Sequence, residues 1–239
     1  MERNKTKIRK LQVTEMNRLG VEEFHVASKF PLVVVLDHVR SLYNVGSVFR
    51  TADAFRLSGL CLCGITATPP HVEIHKTALG AEESVDWNYF EKTEDAVTWL
   101  KNQGYRVMAV EQCEGSMMLQ DFHPADGEKL AIVMGNEVKG VQQSVVDMCD
   151  GCLEIPQFGT KHSMNVSVTA GMVIWTIVAR SLSDAPLARL GGRQSLACTP
   201  SSGWHERSRQ KPDRRQPWPD RRRLSLSHRT TGCTHGQPA

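Results

Sequence analysis

The 239-residue chain predicts an α/β fold with a mostly parallel sheet and helices on both of its faces. Three observations carry that expectation. Residues 32–37 (LVVVLD) and 130–134 (LAIVM) are unbroken apolar runs of strand length, the mark of strands buried on both faces. Segments with helical spacing alternate with such runs, the order that builds a parallel sheet. Several strands end in polar or glycine-containing loops that lead straight into helices, and ligands of such sheets bind beyond the carboxyl ends of the strands.

Taken in order, residues 11–29 read as a helix broken at Gly20 and ended by Pro31, forming with the basic start an N-terminal extension over 1–30. Strand 32–37 follows and is expected at the centre of the sheet. Asn44 stands as a cap before a helix over 45–55, in which Val45, Val48, Phe49, Ala52 and Phe55 recur on one side. Residues 60–65 (LCLCGI) give the second strand. A long connection over 66–83 carries His75, Lys76 and Thr77, and the alternation of Val85, Trp87 and Tyr89 predicts a third strand with one exposed face. Thr93 caps a helix that Gly104 closes. Residues 105–110, 130–134 and 152–155 supply the remaining strands, with a helix over 141–149 between the last two.

Charge divides the chain. Of its 29 basic and 26 acidic residues, 12 and 4 lie from Arg180 onward, which leaves 17 basic and 22 acidic before it. The part before Arg180 is therefore acidic on balance, and contacts to nucleic acid fall to local basic patches such as Arg3, Lys5, Lys7, Arg9 and Lys10. From 181 to 239 Pro, Gly, Ser and Arg dominate and periodicity disappears. Such a tail buries too little apolar surface to offset its ordering entropy, so disorder is expected, with arginine-rich RNA contact or plain solvation as its role. No run approaches the roughly 18–20 apolar residues of a membrane span, and a cytoplasmic location is the default expectation. Seven cysteines do not make a disulfide framework in this setting. Cys149 and Cys152 have metal-like spacing but no second pair, and a helix-to-strand turn at Gly151 accounts for them; no metal is expected.

Three stretches carry candidate chemistry. In Gly135-Asn136-Glu137-Val138-Lys139-Gly140 two glycines bracket a tight strand-to-helix loop that allows close backbone approach. In 155–167 (IPQFGTKHSMNVS), Ser163, Asn165 and Ser167 recur at spacing two, more polar side chains than one cap needs. Upstream, Asn44 and Arg50 are separated by about 9 Å along a helix axis, a distance that a long arginine largely bridges. Each stretch alone has an ordinary structural explanation: a turn, a cap, a surface ion pair.

Together, NVGSVFR, IVMGNEVKGV and LEIPQFGTKHSMNVSVTAG resemble the three motifs of the SpoU/TrmH family of RNA ribose methyltransferases, in order, over residues 32–180. The resemblance implies a SPOUT-class domain with a C-terminal trefoil knot, S-adenosylmethionine as methyl donor and a homodimer with the active site near its interface. Carried onto this chain, the donor falls to Met134, Gly135, Asn136, Gly140, Ile155, Pro156, Ser163, Met164 and Asn165. Arg50 corresponds to the family's catalytic arginine, oriented by Asn44, Glu137, Ser163 and Asn165. A guanidinium with a pKa above about 12 is a poor general base, so Arg50 is expected to position phosphate and acidify a ribose 2′-hydroxyl. The expected reaction is 2′-O-methylation of structured RNA, with tRNA slightly favoured over rRNA by the short segment before residue 32. A non-catalytic RNA-binding protein with the same knotted dimer is the alternative. A nucleotide-binding Rossmann enzyme is disfavoured, because no glycine fingerprint follows residues 32–37.

Overall fold

The computed structural model describes residues 9–183. Its centre is a seven-stranded sheet of order β3-β2-β1-β6-β4-β7-β5, formed by β1 (Phe30–Asp37), β2 (Leu57–Cys63), β3 (Trp87–Phe90), β4 (Arg106–Val110), β5 (Met117–Met118), β6 (Leu130–Met134) and β7 (Gly151–Glu154). Every recorded strand pairing is parallel. The helices are α1 (Val21–Val26), α2 (Leu42–Ala54), α3 (Val72–Ala78), α4 (Ala81–Ser84), α5 (Thr93–Asn102), α6 (Gln143–Val146) and α7 (Val166–Ser183).

Alternation along the strands sorts the core into two layers. Leu32, Val34, Leu36, Leu60, Leu62 and Ile132 pack with Val48 and Phe49 of α2 and Val173 and Ile177 of α7. Val33, Val35, Cys61, Ala109 and Val133 face the other way, toward Val97 and Leu100 of α5 and Val145 of α6. An apolar run without alternation is what a strand covered on both sides requires, and each fully buried Val, Leu or Ile contributes about 1.5–3 kcal/mol. β6 holds the middle position; β1, expected there, lies next to it between β2 and β6.

Other expectations shift for local reasons. Pro31 lies inside β1 rather than before it, at the irregularity where pairing with β2 skips from Phe30 to Val33, and where no ladder hydrogen bond is asked of its nitrogen. The expected helix over 11–29 is a 3-10 turn at Val13–Met16 and the short α1, with Asn17 left-handed (φ 47) between them. Phe24 is the one α1 residue in the core, too little burial to hold a longer helix. Ser41, not Asn44, caps α2; its hydroxyl accepts from Asn44 N–H, and Asn44 lies inside the helix, buried. Val85 is buried and Trp87 packs partly against the core as the alternation predicts, but on β3 Tyr89 is exposed and Asn88 is buried, so the alternation does not carry through the strand. Thr93 is fully buried, donates to Asp37 Oδ1 and leaves Lys92 at the cap of α5. The helix expected over 141–149 shortens to α6, because Val141 N–H is held by Glu111 and Gln142 N–H by Asp37 while Gln142 is still extended. β5 has two residues and no sequence signal.

Among the described residues, no helix is long and apolar enough to cross a membrane, and no group of three or more His, Cys, Asp or Glu is placed to hold a metal ion. The segment 184–239, expected to be disordered, and Arg3, Lys5 and Lys7 lie outside the described residues.

Candidate active-site cleft

A cleft of about 280 Å³ opens beyond the carboxyl ends of β4, β6 and β7. Val110, Met134, Leu153, Ile155, Met164 and Val166 give it apolar walls; Glu111, Gln112, Asn136, Glu137 and Thr169 add polar ones. Gly135 and Gly140 line it too, and a glycine can offer a cleft only its backbone. The loop between them is tied by reciprocal backbone hydrogen bonds between Asn136 and Gly140, at 3.0 and 2.9 Å. Asn136 Oδ1 accepts from Val138 and Lys139 N–H, and its Nδ2 donates to His38 O at 2.7 Å. Gly140 holds φ at +68°, and a Cβ on Gly135 would lie 2.2 Å from the Gly140 carbonyl carbon and from Val141 N. Both glycines are therefore required by the loop itself.

Beside the cleft, side chains from all three motifs form one hydrogen-bonded line. Glu137 accepts from Arg40 N–H (3.0 Å), Ser41 N–H (3.1 Å) and Asn44 Nδ2 (3.0 Å). Asn44 Oδ1 in turn accepts from Asn165 Nδ2 at 3.1 Å and from Ser167 Oγ at 3.4 Å. Asn165 Oδ1 accepts from Ser167 and Val168 N–H, capping α7. Partial burial works to raise the pKa of Glu137, but its backbone and Asn44 hydrogen bonds prevail and hold the carboxyl below its ordinary range. Glu137 is thus a brace between the β6–α6 loop and the start of α2.

Of the residues expected at a donor site, Met134, Gly135, Asn136, Gly140, Ile155, Ser163 and Met164 line the cleft. Pro156 and Asn165 do not, and Asn165 turns to Asn44 instead. Arg50 is the larger departure. It is exposed on α2 and lines a different groove, with Phe24, Asp53 and 78–81, and the hydrogen bonds of Asn44, Glu137 and Asn165 do not include it. Axial rise alone misleads here: six residues at about 100° each leave Asn44 and Arg50 about 120° apart around the helix. Asp53, three residues on in α2, accepts from Ser84. At the N-terminus, Arg9 spends its charge on Glu15, at 2.9 and 3.1 Å, and Lys10 is exposed.

Glu111, Gln112 and Thr169 were not singled out from the sequence. Glu111 follows β4 directly, so the carboxyl-end rule applied to every strand would have found it. Its Oε2 accepts from Val141 N–H and its Oε1 from Gln112 N–H.

Residues 31–175 match the model of the SpoU rRNA Methylase family. The chain is 32% identical over 147 residues to the 23S rRNA (guanosine-2′-O-)-methyltransferase RlmB of Neisseria meningitidis, covering 62% of this chain and 58% of that one. With the RlmB of Vibrio parahaemolyticus it shares 27% identity over 169 residues, 71% of this chain and 67% of the relative. Among solved structures, the AdoMet-bound rRNA methyltransferase of Sinorhizobium meliloti superposes with a TM-score of 0.60 at 28% identity, covering 65% of this chain and 58% of that chain. The TrmH/SpoU tRNA modifying enzyme of A. aeolicus shares the fold, with a TM-score of 0.62 at 22% identity over 73% and 86% of the two chains. The match spans under two thirds of the length of the Neisseria relative.

Proposed function

Because the chain belongs to the SpoU rRNA methylase family through residues 31–175, we propose that it transfers a methyl group from S-adenosylmethionine to a ribose 2′-hydroxyl of structured RNA. The observation that carries this reading is the line Glu137–Asn44–Asn165, which gathers all three motifs against one cleft.

The cleft suits the donor. Apolar walls from Val110, Leu153 and Ile155 fit a purine face, Glu111, Gln112 and Thr169 offer polar partners, and Gly135 and Gly140 contribute backbone alone. When bound, S-adenosylmethionine supplies an electrophilic methyl on a sulfonium. This chain's residues then have to hold the acceptor in line, worth several kcal/mol of barrier when the reacting atoms sit about 3–3.5 Å apart. Arg50 is the group assigned to the RNA: its permanent positive charge holds phosphate and lowers the pKa of the hydroxyl, and the proton leaves to phosphate or water.

Arg50 and the cleft occupy separate grooves of one chain, so the reading also calls for a homodimer in which Arg50 of one protomer serves the cleft of its partner. A second feature supports this. Val168, Met172 and Trp175 stand exposed at helical spacing along α7, with Trp175 against Phe55 at 5.8 Å. The trefoil knot belongs to the same proposal, supported by the contact of Asn165 and Ser167 with Asn44. As to the RNA, relatives are named for 23S rRNA and a structural neighbour for tRNA. The short segment before residue 32 gives no preference that outweighs those names, and RNA is the substrate class proposed.

The test uses methyl-labelled donor with rRNA and tRNA pools from cells lacking the gene, followed by mapping of alkali-resistant linkages. Label at a ribose is expected in one pool; donor binding with label in neither sinks methyl transfer in favour of RNA binding alone. Arg50→Ala should keep donor affinity in calorimetry while turnover falls about 100-fold or more, and near-normal turnover would remove Arg50 from the reaction. Trp175→Glu should sediment as a monomer and be inactive; an active monomer would refute the shared site.

A further inference from the structure

The wall of the cleft that carries Glu111 and Gln112 is part of an unusual connection. The chain leaves β4, which pairs with one side of β7, and re-enters the sheet as β5 on the other side of β7. Val110 and Met117 both pair with Leu153, so residues 111–116 must pass across β7 between them. Glu111 N–H still bonds Leu153 O at 3.1 Å, Ser116 N–H bonds Cys113 O, and Ser116 Oγ donates to Glu154. Cys113 sits in the middle of this strap. Beneath it, one residue before Leu153, is Cys152, and its thiol meets Cys113 Sγ at 2.9 Å.

Two unbonded sulfurs at that distance are already in the approach to a bond, and about 0.9 Å of closure reaches the disulfide length of about 2.05 Å. Both residues are half-buried, so neither is sealed from a small reagent, whereas Cys61 and Cys63 are fully buried in β2. We propose that Cys113 and Cys152 form a covalent modification site, closing to an intramolecular disulfide in exchange with glutathione disulfide or a protein disulfide of the same class.

The exchange balances in two steps. Cys113 as thiolate attacks one sulfur of glutathione disulfide, forming a Cys113–glutathione bond and releasing one glutathione thiolate. Cys152, losing its proton to water, attacks the Cys113 sulfur and expels the second glutathione. Two protein thiols are oxidised and one glutathione disulfide is reduced to two thiols. The order follows from the surroundings: burial, first, and the neighbouring Cys113 raise the pKa of Cys152 above that of an ordinary thiol, which suits it to the second, intramolecular step. Cys149 lies nearby, but burial raises its thiol to about 11 and it makes no recorded sulfur contact. The bond would staple the strap to β7 and fix Glu111 and Gln112 at the cleft. The pairing stands independently of the methyl transfer proposed above.

The full chain, fully reduced, is equilibrated with glutathione buffers of increasing disulfide content, alkylated, digested and read by mass spectrometry. Expected is the joint loss of the Cys113 and Cys152 thiols into one linked peptide pair. Cys113→Ser and Cys152→Ser should each abolish that link and leave the remaining cysteine as a free thiol or glutathione adduct. Independent alkylation of both cysteines across the whole buffer range, or a link from either to Cys149, Cys198 or Cys233 instead, overturns the assignment. Hydrogen exchange over 111–116 should slow about tenfold on oxidation, and unchanged exchange in a chain shown to be linked refutes the staple.

Discussion

Replacing Glu137 by alanine tests whether this residue is a brace or a reacting group. The carboxylate accepts three hydrogen bonds, two of them from backbone N–H groups at the entry to α2. Hydrogen bonds to a charged group contribute about 1.5–3 kcal/mol each when sealed from water. Glu137 is only partly buried, so water replaces part of what is lost and solvent screens the charge; about 2 kcal/mol in total is the reasoned figure. For a domain of this size that corresponds to a fall of about 4–8 °C in Tm, and to a urea midpoint lower by about 1 M at an unchanged slope. Glu137→Gln, which keeps one acceptor oxygen, should lie between alanine and the wild type. The pH dependence has a definite sign. Because the folded-state pKa of Glu137 lies below its ordinary value, its stabilisation is complete above the unfolded pKa of about 4.3 and is lost as pH falls through the folded value. The gap between wild type and Glu137→Gln should therefore be widest near neutrality and narrow as pH falls below about 4.3. Urea titrations at both pH values read this directly. If Glu137→Ala unfolds within about 0.5 kcal/mol of wild type, the carboxylate is no brace.

Two further substitutions address other joints of the site. In Gly46→Ala the new Cβ would meet Ile74 O at 2.3 Å and Thr77 Oγ1 at 2.1 Å; the backbone contact has no flexible end to yield, so α2 and α3 should be forced apart at a cost of about 1–3 kcal/mol by chemical denaturation, and a neutral result would refute that close approach. Asn165→Ala removes the cap of α7 and the link to Asn44 together, with an expected loss of about 1–2 kcal/mol. Asn165→Asp should restore the cap but not the Nδ2 donor to Asn44, and stability equal to wild type in that variant would show that the link contributes nothing.

What was legible in the sequence was set by the range of the forces involved. β1 and β6 announced themselves because burial on both faces writes an unbroken apolar run into the strand, and the Gly135–Gly140 loop because a left-handed residue and a close approach both demand glycine. Thr93 and Asn44 misled: each is a cap-forming residue next to a helix start, yet each is claimed by a partner far along the chain, Asp37 for Thr93 and Glu137 for Asn44. No local propensity encodes a partner 93 residues away. The same holds for Glu111, whose place at the cleft depends on the order of strands. The motif resemblance supplied what propensity could not, the grouping of three separate stretches, but it gave no information on position around a helix, and Arg50 lines a groove other than the cleft.

The order of the strands also constrains how the chain reaches this state. β6 lies between β1 and β4, and β7 between β4 and β5, yet both are made after the neighbours that they separate. During synthesis β1 and β4 must each wait with an open edge, since pairing directly with one another would exclude the strand that belongs between them. Contacts of such long sequence separation form slowly, and open parallel edges are the surfaces through which chains associate wrongly. Shortening the chain before residue 130 therefore leaves no smaller version of this domain. It leaves the outer parts of a sheet whose middle never arrives.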